Sequence, residues 1–132
     1  MSLRRALREA YENAVYEADL ADGTAVFRIG KAPEGAAPGE PLAILTAWNP
    51  AQDLPGGEAN ERANARLAAE IERHGFTHYP ALGRSEDGSH AEASFAVPGI
   101  SRASARALGS RFSQAAIFYW DGVEARVLSC GE

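Results

Sequence analysis

LAILTAWNPAQDLPGGEANERANARLAAEIERHGF, residues Leu42–Phe76, is the stretch that decides the fold. Leu42 to Trp48 is apolar except for Thr46, the pattern of a strand covered on both faces and therefore central in a sheet. Beyond the segment Asn49–Gly56, Leu67, Ala68 and Ile71 recur at helical spacing while Glu58, Arg62, Arg66 and Glu70 face the other way, which predicts a helix over residues 57–74. Gly75 stops that helix by taking a left-handed conformation, and Phe76 is placed to fold back on Ile71.

Downstream, Thr77–Leu82 and Ala91–Val97 read as strands joined across Glu86-Asp87-Gly88. Pro98-Gly99 ends the second strand, and Ser101 caps a helix running to about Gly109. Gln114–Trp120 and Glu124–Leu128 form a closing hairpin over Asp121-Gly122. From Leu42 to Trp120 the order is therefore strand, helix, strand, strand, helix, strand, the split βαβ or ferredoxin-like plan of an α+β domain. Upstream, Ser2 is placed to cap a helix carrying Leu3, Leu7 and Ala10 or Tyr11 at helical spacing. Val15–Leu20 and Thr24–Ile29 form a hairpin over Asp22-Gly23. Helix and hairpin are expected as additions outside a core of residues 42–120, and the Gly/Pro/Ala-rich segment 30–41 as a mobile surface loop. The 132 residues fit one domain.

A formal net charge of −5 argues against a protein that binds duplex nucleic acid, since that affinity comes from many cations meeting phosphates. Two arginine sets, Arg62, Arg66 and Arg73 on one predicted helix and Arg102, Arg106 and Arg111 on the other, read as solvated outer faces. No signal peptide or long apolar span is present, which places the chain away from the membrane and in the cytoplasm. The single cysteine, Cys130, reads as an incidental thiol. His74 and His78 straddle the helix break at Gly75 and do not make a zinc motif, and no glycine-rich phosphate loop or nucleophile elbow occurs, so no metal or other cofactor is expected.

One concentration of side chains stands out. Asn60, Asn64, Leu67 and Ile71 are spaced by four, three and four residues, which puts two carboxamides on the inward stripe of the helix. An unpartnered buried amide costs about 1–3 kcal/mol, so something polar must meet them. In the plan above, Thr46, Trp48, Asn49 and Gln114 converge on the same end of the sheet. These residues either tie down the loop from Asn49 to Gly56 or form a site for a small polar ligand or a peptide, with Trp48 as an apolar wall. Amides neither donate nor accept protons catalytically near pH 7, so this grouping points to recognition rather than chemistry.

The run Thr46-Ala47-Trp48-Asn49-Pro50, the pair Asn60 and Asn64 followed by Leu67, Glu92 with Ser94, and Gln114-Ala115-Ala116-Ile117 together resemble the bacterial proteins grouped as domain of unknown function 3293. The likeness spans Phe27 to Ile117. This chain has His90 where the family carries an aromatic residue two positions before the glutamate. The resemblance implies no established activity and no catalytic residue.

Glu92 is the candidate for an enzyme reading without a cofactor. Strand alternation puts it on the face opposite Phe95, and a cover over that face would desolvate the carboxyl and suit it to general acid or base work. In the expected layout Glu92 and Asn49 lie on the order of 15 Å apart, too far to share one site. A third class, a protein-binding surface, would expose apolar groups such as Tyr16 or Trp120.

Overall fold

The computed structural model describes residues 5–48 and 57–130. Helix α1 (Arg5–Asn13) leads into the hairpin β1 (Val15–Leu20) and β2 (Gly23–Arg28), the short β3 (Glu34–Gly35), and β4 (Leu42–Leu45). Then come α2 (Gly57–Arg73), β5 (Tyr79–Arg84), β6 (Ala91–Pro98), α3 (Arg102–Arg111), β7 (Ala116–Trp120) and β8 (Ala125–Ser129). Among the described residues the result is a mixed architecture of three helices on one antiparallel sheet in the order β3-β2-β1-β5-β6-β4-β7-β8.

The apolar run at Leu42 does become a central strand. β4 pairs with β6 on one side and β7 on the other, and all four of its residues are buried. Ala43 and Leu45 point to the face covered by α2 and α3, where they meet Leu67, Ile71, Leu108, Val97 and Ile117. Leu42 and Ile44 point the opposite way, to a second cluster with Tyr16, Phe27, Phe118 and Trp120.

That second cluster corrects one expectation. The early hairpin is not an addition outside the core: β1 pairs antiparallel with β5 and extends the sheet. In a flat sheet β1 and β7, four places apart, would be separated by about 19 Å. Instead the rings of Tyr16 and Phe118 lie 4.5 Å apart, and Phe27 lies 5.1 Å from Phe118 and 5.2 Å from Trp120. The sheet has curled until its two halves pack on each other, because Tyr16, Ala18, Ala25 and Phe27 offered an apolar face that α2 and α3 did not cover. Tyr16 and Trp120 are buried by this curl and do not form an exposed partner surface.

The segment 30–41, expected as a surface loop, contributes β3 and touches the sheet elsewhere. Trp120 Nε1 donates to the Pro38 carbonyl at 2.8 Å, and Gly99 N donates to the Pro41 carbonyl at 2.7 Å. The helix ends follow the sequence reading. Gly75 takes φ +85° and Phe76 N donates back to the Ile71 carbonyl at 3.2 Å. Ser101 accepts from Ser104 N at 3.1 Å at the start of α3. The proposed Ser2 cap falls outside the described residues. Cys130 is buried, and α3 approaches it so closely that a Cβ on Gly109 would stand 2.6 Å from its Sγ.

Candidate functional site

Asn60 and Asn64 are buried, as the helical spacing required, and Gln114 is buried beside β7. β4 ends at Leu45, and from there side chains replace the ladder. Asn64 Oδ1 accepts from Ala47 N at 2.8 Å, and Thr46 Oγ1 accepts from Trp48 N at 3.1 Å. Gln114 Nε2 donates to the Trp48 carbonyl at 3.0 Å and to the Phe112 carbonyl at 3.3 Å. On the neighbouring strand the Ala93 carbonyl accepts twice, from Thr46 Oγ1 at 2.8 Å and from Asn64 Nδ2 at 2.9 Å. Every one of these bonds runs to main chain or within the cluster. Asn49 lies outside the described residues.

The separation expected between the two candidate sites needs revision. β4 and β6 are antiparallel neighbours with Leu45 opposite Phe95, so extending that register brings Trp48 level with Glu92. Asn64 and Thr46 therefore grip β6 at Ala93, the residue after Glu92. Asn64 does so from the helix-covered side, whereas Glu92 projects to the concave side.

There, Glu92, Gly83 and Tyr16 stand side by side across β6, β5 and β1. Gly83 has no side chain to fill the space between its neighbours, and α1 passes over it. The cavity that results, about 250 Å³, is lined by Leu7, Ala10 and Tyr11 from α1, together with Tyr16, Gly83, Arg84, His90 and Glu92. His90 Nε2 is 3.0 Å from Glu92 Oε2, and Arg84 Nε donates to Glu17 Oε2 at 2.9 Å. Tyr16 Oη donates to the Tyr11 carbonyl at 2.7 Å and so pins the helix to the sheet. Glu92 was anticipated from strand alternation. Tyr11, Tyr16, Gly83, Arg84 and His90 were not, because nothing in the sequence announced that β1 would pair with β5.

Burial first, and the Glu92 carboxylate next, push the Tyr11 phenol up to about 12. Burial likewise raises Tyr16. Both are neutral hydrogen-bond donors at physiological pH. The folded chain holds these protons more tightly than the unfolded chain, whose tyrosines titrate near 10, so stability is intact below pH 10 and falls as pH rises toward 12. Urea midpoints measured from pH 8 upward should drop beyond pH 10, and Tyr11→Phe should flatten part of that drop. A curve unchanged by Tyr11→Phe would contradict the assigned burial.

Among the described residues no helix is long and apolar enough to cross a membrane. Comparison with curated proteins and with solved structures gave no match. The model of the family described as "Protein of unknown function (DUF3293)" matches residues 45–117, a span that begins at the last residue of β4 and takes in Thr46, Asn60, Asn64, Glu92, Ser94 and Gln114. With more than half of its length matched, the chain belongs to that family.

Proposed function

We propose that this chain is a small recognition domain that takes a low-mass amphipathic ligand into the cavity beneath α1, with Glu92 accepting from the ligand's ammonium, amide or hydroxyl group. One observation carries the reading: the Glu92 carboxylate shares a single cavity with the apolar surfaces of Leu7, Ala10 and Tyr16. Pockets for drug-sized molecules run to roughly 300–1,000 Å³, so this one suits a smaller guest. A carboxylate can accept several hydrogen bonds at once, and the neutral Tyr11 phenol adds a donor.

In this reading Thr46, Asn64 and Gln114 are a frame and not the contact surface. Their bonds to the main chain at residues 47, 48 and 93 support that role, since they fix β6 beside Glu92. The order β5-β6-β4-β7, antiparallel throughout with α2 and α3 between its strands in sequence, supports reading the core as ferredoxin-like. The hairpin β1–β2 then supplies the wall that makes the cavity.

The second reading is an enzyme without a cofactor, using Glu92 as general acid or base. Its specific support is the contact between Glu92 and His90, an arrangement that orients a carboxylate and couples it to a second titratable group.

Ligand-observed NMR with a library of small amines, sugars and nucleosides tests both. Wild type should give a hit that Glu92→Gln weakens about tenfold, the effect of losing ~1.4 kcal/mol. Gly83→Val should abolish it by filling the cavity, while both variants keep the wild-type melting profile. A hit indifferent to both variants would return the site to the amide cluster. Turnover lost in Glu92→Gln at unchanged affinity would decide for the enzyme.

A further inference from the structure

The outer surface holds a feature unrelated to that cavity. Between the C-terminal half of α2 and the length of α3 runs a groove with two apolar cups on either side of Arg111. One, about 200 Å³, is floored by Phe76, Ala107 and Leu108. The other, about 360 Å³, is floored by Ala69 and Phe112.

The rim is cationic, although the chain as a whole carries −5. Glu70 Oε1 alone receives Arg73 Nη2 at 2.8 Å, Arg111 Nη1 at 3.2 Å and His74 Nε2 at 3.7 Å. That carboxyl is held below the usual range first by the Arg73 hydrogen bond. Arg66 lines the second cup one turn back along α2, and α3 contains Arg102, Arg106 and Arg111 with no acidic residue. Two guanidinium groups around one carboxylate leave positive charge for a further anion to answer.

We infer that this groove docks an acidic amphipathic segment of a protein partner, seating two apolar side chains about one helical turn apart in the cups while its carboxylates meet Arg66, Arg73 and Arg111. Nucleic acid fits the rim charge but not the whole, since two small separate cups replace the long cationic track it needs and the chain's net charge of −5 opposes its backbone. A bare phosphate would leave the apolar floor unused. A peptide with apolar anchors at i and i+4 and acidic residues between them uses both.

The test is a two-dimensional amide NMR titration of the full chain with a panel of synthetic peptides of about twelve residues, carrying Leu, Ile or Phe at the two anchor positions and Glu elsewhere. A matched panel carries Lys in place of Glu. The inference expects saturable shifts at Ala69, Phe76, Ala107, Leu108 and Phe112 with the acidic panel only, weakening as salt screens the rim. Arg111→Glu and Arg66→Glu should each weaken binding about tenfold, and Ala107→Tyr, at an exposed helix position, should block the first cup without disturbing the fold. Glu92→Gln should leave the titration unchanged, which separates this surface from the cavity beneath α1. Absence of saturable shifts with every acidic peptide, equal binding of the basic panel, or shifts mapping outside the groove overturns it.

Discussion

Truncation of Phe118 to alanine is expected to lower the unfolding free energy by about 3–5 kcal/mol, the range for deleting a buried aromatic ring. On a domain of this size that corresponds to a fall of roughly 10–20 °C in Tm. Phe118 is almost wholly buried, and its ring touches both Tyr16 and Phe27 from the far half of the sheet. It is the point at which the curled sheet meets itself. The loss combines transferred surface, an unfilled hole and two aromatic contacts that each add about 0.5–1.5 kcal/mol beyond area. Val123→Ala provides the reference: that side chain is 77% exposed, and its truncation should change stability by no more than ~0.5 kcal/mol. Equilibrium urea unfolding measures both. A Phe118→Ala loss as small as that of Val123→Ala would mean that the two halves of the sheet do not close on one another.

Asn64→Leu is expected to cost about 2–3 kcal/mol although it extends the apolar stripe of α2 and keeps the same number and branching of side-chain heavy atoms. The hydrogen bonds assign the cost. The Ala93 carbonyl loses Asn64 Nδ2 but keeps Thr46 Oγ1, so it stays satisfied. Ala47 N loses Asn64 Oδ1, and an orphaned buried donor costs about 1–3 kcal/mol. Asn64→Asp separates the two halves of the amide. It preserves the acceptor for Ala47 N but sets a carboxylate against the Ala93 carbonyl, so its deficit should shrink as pH falls and the carboxyl becomes a donor. Urea melts at pH 7 and pH 4 would reveal that trend, and its absence would contradict the assigned orientation of the amide. Thr46→Val combined with Asn64→Leu removes both donors to Ala93 and should cost more than the two single changes added together.

The sequence made the local elements legible, both hairpins included, and left two long-range arrangements obscure, for different physical reasons. Leu42–Leu45, Leu67, Ile71, Gly75 and Ser101 sit where local rules apply: a continuous apolar run, a helical stripe, a positive φ and a cap. The asparagines were legible as buried because a carboxamide at the position of a stripe leucine is conspicuous. Where their bonds would go was not, because β4 breaks off at Leu45 and hands its ladder to side chains, which no periodicity reports. The cavity beneath α1 was harder still. Its residues come from α1, β1, β5 and β6, and only the pairing Tyr16↔Gly83↔Glu92 brings them together. A hairpin turn signals that two strands pair with each other, but not which third strand they will join.

The position of β4 has a consequence for biosynthesis. Its two neighbours, β6 and β7, are translated some fifty and seventy-five residues after it. The Leu-Ala-Ile-Leu segment thus leaves the ribosome long before either flank exists, and it stays a sticky ribbon open on at least one edge until Ala116–Trp120 is out. Such late, non-local closure slows folding and favours capture by chaperones in the interval. Nascent chains stalled before Ala116 should be sensitive to protease, and those that have released Trp120 should not.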